Sequence, residues 1–422
     1  MEENEKLESN TNKSLLVVYI MSSLMTRSTK KANCGDHIDR ISDLPSNVID
    51  GILKDLNISE LVSTSILSRN WRYMWMSVPE LVFRKDFFSR FEDLDDLGPE
   101  ISRIITDILF LHNGPIYKFS LDIPWLSKKL TITTEYLNKW ILFLSKRGIK
   151  DLQLLNNGWF FFKMPSHIFS CQELTHFTLS GFNLSVPPNF CGFKKLLDLC
   201  LECNIYEFGA LENLISGCPL LEKLSIILYG DLKSVCLKKA KNLIDLRIKN
   251  YHVRGVSDLI ISLPKIQRLT MESYELYADM ISPTQLTSLK YLKLYGLNLV
   301  KRTAVLYIVS VLKSASDLVE LDIQNDGEQE PDQPEQLDLE CNSCCLSQLQ
   351  TVNINISDTI NFKHAMSLIR FILANSSSLK TLTFKVGFCH KILDAAMLSS
   401  IPQDLLCMKR ASQRARVEFR HL

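Results

Sequence analysis

Between Ile116 and Phe384 the chain repeats one arrangement of apolar positions eleven times: an apolar residue, a second three places on, and a third two places beyond that. The instances run Ile116-Phe119-Leu121, Ile149-Leu152-Leu154, Leu174-Phe177-Leu179, Leu196-Leu199-Leu201, Leu221-Leu224-Ile226, Leu243-Leu246-Ile248, Ile266-Leu269-Met271, Leu289-Leu292-Leu294, Leu318-Leu321-Ile323, Leu349-Val352-Ile354 and Leu379-Leu382-Phe384. The last two positions of each alternate with mostly polar residues, the period of a strand with one buried face. From the second to the eighth instance the starts lie 22 to 25 residues apart, and the last three gaps widen to 29, 31 and 30. A unit this short cannot bury its apolar face alone. Units at a period in the twenties stack into a solenoid, which offers a concave surface in place of an enclosed pocket. The intervening residues, among them Asp151, Gln153, Lys223, Ser225, Asp245, Arg247, Arg268, Thr270, Lys293, Glu320 and Asp322, are then expected on that surface.

Ahead of the repeats the period changes. Asp43 stands where a helix cap is expected and Pro45 where a first helical turn accepts proline. Val48, Ile49, Ile52, Leu53 and Leu56 follow at spacings of one helix face. Asn57 breaks that helix, Ser59-Glu60 begins another, and Leu61, Ile66, Leu67, Trp71 and Trp75 continue it as two short helices. A block of this size is marginal without a partner, which suits a module that completes its core on another protein. Leu94, Leu97, Ile101, Ile104, Ile105 and Ile108 predict a further helix within 87–113, expected to cap the first repeat. Residues 1–35 show no sustained period and read as a disordered leader; their apolar run Leu15–Met21 is too short to span a bilayer, and the acidic residues before it do not suit a signal peptide. Gln324–Glu340, with seven acidic residues and two prolines, reads as a solvated loop.

Bulk composition narrows the function by exclusion. Lysine and arginine total 48 against 47 aspartates and glutamates, so no net field favours nucleic acid or an acidic surface. Twelve cysteines in a chain of 422 residues read as reduced thiols packing the repeats. Cys200-x-x-Cys203 and Cys341-x-x-Cys344 are too far apart, with no matching histidines, to make a zinc pair. No G-x-S-x-G, H-E-x-x-H, Walker-type loop or G-x-G-x-x-G occurs, and His176 beside Phe177 reads as a structural or surface histidine. The basic tail, Lys409, Arg410, Arg414, Arg416 and Arg420, reads as the charged outer face of a strand, and no basic cluster poised for an anionic ligand is apparent along the chain.

These residues carry a family resemblance. The apolar triads are those of leucine-rich repeats, and Gly217-Cys218-Pro219-Leu220-Leu221-Glu222-Lys223-Leu224 is similar to the phrase found in repeats that follow plant F-boxes. Asp39-Arg40-Ile41-Ser42, Leu44-Pro45, Ile52-Leu53, Ser65-Ile66-Leu67-Ser68-Arg69 and Trp71-Arg72-Tyr73-x-Trp75 resemble the plant F-box itself. Asn57 departs from the usual proline and Asn70 from a common basic residue. Residues 341–422, with strand, helix, strand and the segment Asp404–Phe419, resemble the FBD region, without its usual Phe-x-Gly element. The chain is thus similar to the plant F-box/FBD/LRR-repeat proteins. The resemblance implies an α/β chain: a leader (1–35), a three-helix F-box (36–83), a helical linker (84–115), a leucine-rich-repeat solenoid (116–340) with its curved parallel sheet and the acidic loop at 324–340, and an FBD-type end (341–422). It implies a non-catalytic substrate-recognition subunit of an SCF-type ubiquitin ligase, located in nucleus or cytoplasm. Leu44, Pro45, Ile49, Ile52, Leu53, Leu56, Ile66, Leu67 and Trp71 would dock a Skp-family adaptor and, through it, cullin. The repeats would hold a target protein, with no cofactor, metal, nucleic acid or membrane involved. The alternative is a leucine-rich-repeat interaction scaffold without a ligase role; a small-molecule receptor and an enzyme rank behind both.

Overall fold

All eleven triads lie on or immediately before parallel strands, and none of their residues is more than 3% exposed. The computed structural model describes residues 44–421 except 69–70, 90, 92–96, 125–131, 159–160, 206–208, 229–236, 238, 251–262, 264, 274–285, 326–336, 338, 340–345, 357–361 and 388–394. The leader, Asp43, Leu94 and most of the acidic loop therefore lie outside the described residues. The chain divides into two compact units: Met1–Asn183 with Phe193–Leu196, and Leu184–Gly192 with Leu197–Leu422.

The first unit begins with helices α1 (Ser46–Asp55) and α2 (Ile58–Ser63), a 3-10 turn at Thr64–Ile66, α3 (Trp71–Met74) and a second 3-10 turn at Trp75–Ser77. Strand β1 (Glu80–Phe83), helices α4 (Lys85–Ser89) and α5 (Leu97–Leu111), β2 (Lys118–Ile123), α6 (Thr134–Ser145), β3 (Asp151–Asn156), the short β4 (Phe162–Lys163) and β5 (His176–Leu184) complete it. β1, β2, β3 and β5 pair in parallel in that order, and β4 pairs with the end of β5. β1 corrects the sequence expectation. Val78-x-x-Leu81-x-Phe83 repeats the triad with all three residues buried. α5 is consequently the crossover of a β-α-β unit and not a terminal cap. Its first triad residue sits in the preceding helical block, which hid the pattern.

The second unit carries β6 (Asp198–Ile205), α7 (Ala210–Ser216), β7 (Lys223–Leu228), β8 (Asp245–Asn250), β9 (Arg268–Ser273), β10 (Tyr291–Tyr295), α8 (Arg302–Ser314), β11 (Glu320–Asn325), β12 (Thr351–Ile356), α9 (Lys363–Asn375), β13 (Thr381–Val386), α10 (Ala395–Cys407) and β14 (Arg416–His421). Its strands pair in parallel in chain order, each triad position facing its counterpart: Leu199, Leu224, Leu246, Leu269, Leu292, Leu321, Val352, Leu382 and Val417 form one row. Gln324 and Asn325, expected in the acidic loop, instead end β11, and Leu337 within that stretch is buried.

A turn precedes most triads. The N–H of the first triad residue bonds the carbonyl three places earlier, as from Leu174 to Cys171, Leu221 to Cys218, Leu243 to Ala240 and Leu318 to Ala315. The residue at that earlier place is buried, either small as in Cys171, Cys218, Ala240 and Ala315 or large as in Phe193 and Leu263, which is where Cys171 and Cys218 find their role. Burial pushes the Cys171 thiol up to about 12, far from reactive thiolate character. Cys200 differs: flanked by core residues Leu199 and Leu201, it points to the opposite, open face and is half-buried there, so strand alternation overrides its expected place in the core.

Two local devices hold the units at tight points. Gly217 ends α7 against Gly192, which has φ +90°; a Cβ on Gly192 would lie 2.0 Å from the Gly217 carbonyl oxygen, and one on Gly217 2.3 Å from the Gly192 Cα. Gly217 is therefore required by close backbone approach as much as by its helix-ending position. In the first unit, buried His112 follows α5 and bonds the Val78 carbonyl through Nε2 at 2.8 Å. Arg147 donates to the carbonyls of His112 and Gly114, covering the helix's open end.

Gly192→Ala and Gly217→Ala should each lower stability by about 3 kcal/mol, read as a fall in the urea midpoint. Gly51→Ala, inside α1 with nothing within 4 Å of its added Cβ, should leave it unchanged or raised. Burial, opposed by the Val78 bond and aided by Arg147, holds the His112 pKa below its ordinary value. Above pH about 6.5 the ring is neutral in folded and unfolded chains alike; below it the unfolded chain takes the proton first, so stability falls with falling pH until the folded pKa is passed. The urea midpoint should drop more between pH 7.5 and pH 5.5 in the wild type than in His112→Gln, which keeps a donor but does not titrate.

Candidate functional site

Helix α1 carries two apolar stripes where the sequence predicted one. Ile49 and Leu53, four apart, turn inward and are 7% and 4% exposed. Pro45, Val48 and Ile52, at spacings of three and four, lie on an adjacent stripe in solvent, with Val48 at 41% and Ile52 at 40%. Ile58, Leu61, Val62, Trp71, Trp75 and Met76 fill the interior around the inner stripe.

The nine expected docking residues accordingly separate. Pro45, Ile52 and Leu67 are exposed and Leu44 is half-exposed. Ile49, Leu53 and Trp71 are buried in the chain by itself. Leu56 and Leu53 line a cavity of about 410 Å³ against β1, with Ile58, Leu61, Val78 and Val82 on its other walls. Of the Ile66 side chain nothing is described. Val48 and Tyr73, both exposed, lie outside the expected set: Val48 shares helical spacing with Ile49 and Ile52, and spacing alone does not say which residues of a narrow helix face outward.

The connection from α1 to α2 is set by Asn57. Its side chain accepts from the N–H groups of Ser59 and Glu60, while Glu60 accepts from the Asn57 N–H, each at 3.0 Å. This reciprocal cap starts α2 at Ile58, one residue before the expected Ser59. Asn57 has φ −71° and Leu56 before it is extended, so a proline fits the same backbone. The interchange of the two residues leaves the module's geometry alone.

On the repeats, register gathers what sequence separates. The open face of the second unit shows the residues that alternate with the core rows: Asp198, Lys223, Asp245, Arg268 and Tyr291 in one row, Lys249, Glu272 and Tyr295 in another. Lys249 pairs with Glu272 across β8 and β9, Lys293 with Asp322 at 3.6 Å across β10 and β11, and in the first unit Lys118 with Asp151 at 3.2 Å. Arg268 lies over the Tyr291 ring, 4.8 Å from its centroid. Lys223, Arg247, Lys249, Arg268 and Lys293 thus come together on four consecutive strands, with Asp245 and Glu272 among them. On β14 Arg416 and Arg420 both pair with Glu418, so that part of the basic tail is a strand's outer face.

Among the described residues no group of histidine, cysteine and carboxylate side chains could hold a metal ion, and no helix is long and apolar enough to cross a membrane. Cys236, Cys341 and Cys344 lie outside the described residues. The His176 side chain is exposed, and its Nδ1 lies 3.0 Å from the neighbouring Thr175 hydroxyl.

Comparison with known proteins agrees with this layout. The F-box domain profile matches residues 41–83, the profile for the LRR repeats of the FBD-associated F-box protein At5g56370 matches 137–280, and the FBD profile matches 343–384. The F-box/FBD/LRR-repeat protein At1g13570 of Arabidopsis thaliana is 30% identical over 91% of this chain and 99% of its own length. The chain belongs to the F-box/FBD/LRR-repeat family. The F-box/LRR-repeat protein At3g26922 of Arabidopsis thaliana is 28% identical, covering 71% of this chain and 87% of that one. As an F-box/FBD/LRR-repeat protein the chain joins a small helical docking domain, of the kind that generally binds Skp-family adaptors, to repeats suited to protein interaction.

Asn57→Ala should destabilise the chain by about 1 kcal/mol by removing the cap. Asn57→Pro should lose less, because a stiffer unfolded chain offsets the lost bonds. Thermal unfolding of the three forms side by side gives the order.

Proposed function

We propose that this F-box/FBD/LRR-repeat protein is the substrate-recognition subunit of an SCF-type ubiquitin ligase in nucleus or cytoplasm. Its F-box docks a Skp-family adaptor, and through it cullin, while the repeats hold a target protein. The chain supplies no catalytic residue; holding the target beside the transferring enzyme supplies the rate advantage of pre-positioned reactants.

The exposed second stripe of α1 carries this reading. Pro45, Val48 and Ile52 leave apolar surface in solvent that the module does not cover, and burying the remaining two fifths of Val48 and Ile52 on a partner is worth about 1 kcal/mol each. Leu67 and Tyr73, about half exposed, extend the apolar surface offered. Ile49, Leu53 and Trp71 act beneath it, fixing the helix that presents it.

The measurement is a pull-down of a purified Skp-family adaptor with the full chain. Ile52→Asp, at an exposed position, should keep the wild-type circular dichroism and melting temperature yet weaken adaptor binding at least tenfold. The double substitution Leu44→Ala/Pro45→Ala should weaken it as well. Undiminished binding by a folded Ile52→Asp chain would sink the docking face; a wild-type chain that bound no adaptor would sink the ligase reading and leave an interaction scaffold.

A further inference from the structure

The open face of the second unit is not evenly charged. Its first strand β6 presents Asp198 and Glu202, and β11 presents Glu320 and Asp322. The four strands between them present Lys223, Arg247, Lys249, Arg268 and Lys293 against only Asp245 and Glu272. Lys249 is tied to Glu272 and Lys293 to Asp322. Asp245 stands in register between Lys223 and Arg268, and burial, partly offset by those two cations, lifts its pKa above the ordinary carboxylate value. Arg247 is exposed, faces Ser225 and Thr270 in register, and its side chain makes no hydrogen bond or ion pair among the described residues.

Arg268 is exposed too, but it is oriented. Its guanidinium carbon lies 4.8 Å from the Tyr291 ring centroid, and a guanidinium set over an aromatic ring retains N–H donors for a planar anion. Tyr295, on the same face of β10, is in register with Glu272 and adds a second aromatic surface. Tyrosine and arginine are the residue types that most often anchor protein interfaces.

We infer that the basic centre of this face, built on Arg247 and Arg268 with Tyr291 and Tyr295 beside them, binds an extended, carboxylate-rich segment of the target protein. This rests on the reading that the repeats hold a protein partner and specifies its chemistry. Four strands about 4.8 Å apart are crossed by an extended chain of about four residues. A run of that length places its acidic side chains over β7–β10 and ends before the repelling acids of β6 and β11. Arg268 takes one carboxylate in a two-pronged bond, Arg247 takes a second, and the tyrosines cover the backbone between. The flanking acids give the site a pattern that a plain polyanion does not match.

Fluorescence anisotropy with the full chain tests this. The probes are labelled peptides with a glycine–serine frame around four glutamates, four glutamines or four lysines, and a fourth with phosphoserine in place of two glutamates. The glutamate peptide should bind at least tenfold more tightly than the glutamine peptide, and less tightly as salt is raised. Arg247→Glu/Arg268→Glu should lose that binding and prefer the lysine peptide, whereas Lys241→Glu/Lys265→Glu, the same charge change on turns ahead of β8 and β9, should bind as the wild type does. Arg268→Lys, which keeps charge but not the flat fork, should fall between. Equal binding of the glutamate and glutamine peptides, equal loss in the turn variant, or binding of the phosphoserine peptide alone would each overturn the assignment. Adaptor docking uses none of these residues: a chain that binds the peptide but no adaptor refutes only the ligase reading, and one that docks adaptor but no glutamate peptide refutes only this inference.

Discussion

In-register parallel pairing is the constraint on which the structure depends. Because each strand meets the same repeat position of its neighbour, residues about two dozen places apart in the chain sit about 4.8 Å apart in space. For the core rows this is favourable without further condition, since leucine on leucine buries apolar area at every step and the pattern need only recur. For the open rows it is a restriction. Like charges at one position of successive strands would repel along the whole row, and the row Asp198, Lys223, Asp245, Arg268 alternates in sign where it could have repeated. The cross-strand ion pairs Lys118–Asp151, Lys249–Glu272 and Lys293–Asp322 oppose charges in the same way elsewhere on the open face; each is partly exposed and worth about 1 kcal/mol or less alone. Their effect is to cancel most of the face, which makes the places left uncancelled informative.

The F-box meets a different constraint, that of size. A module this small has too little interior to spend two whole helix faces on itself, and α1 divides its apolar residues between Ile49 and Leu53 inside and Val48 and Ile52 outside. Bulk is supplied instead by Trp71 and Trp75, both 1% exposed, from one short helical stretch. Two indoles from neighbouring turns fill a core that would otherwise need a longer helix. The interior is thereby filled chiefly by residues other than the outer stripe.

Legibility in the sequence followed periodicity closely. The triads placed β2, β3 and β5–β13, because an apolar row at fixed spacing has one physical solution, and the alternation in Asp245–Asn250 or Thr351–Ile356 told inside from outside residue by residue. The first strand was lost because Val78 closes one pattern while opening another. Cys200 was misplaced because its chemistry, small and apolar, was weighed above its parity in the strand. The α1 stripes could not be separated, since residues 48, 49, 52 and 53 satisfy one broad helical face as well as two narrow ones. The basic centre was invisible for a stronger reason: Arg247 and Arg268 are 21 residues apart in sequence, and only strand register makes them neighbours.

That last point bears on how such a chain changes partner while keeping its fold. Core rows are coupled: altering Leu246 disturbs Leu224 and Leu269 on either side, and a lost leucine leaves a cavity that the stack cannot close. Open-face positions are coupled only through charge, over one strand spacing, and through water of high dielectric constant. A substitution at Arg247, whose register partners Ser225 and Thr270 are uncharged, perturbs neither the row nor the core beneath it. Recognition is thereby written at the positions where the fold is least sensitive, whereas the residues that make the sheet carry almost no information about what it binds.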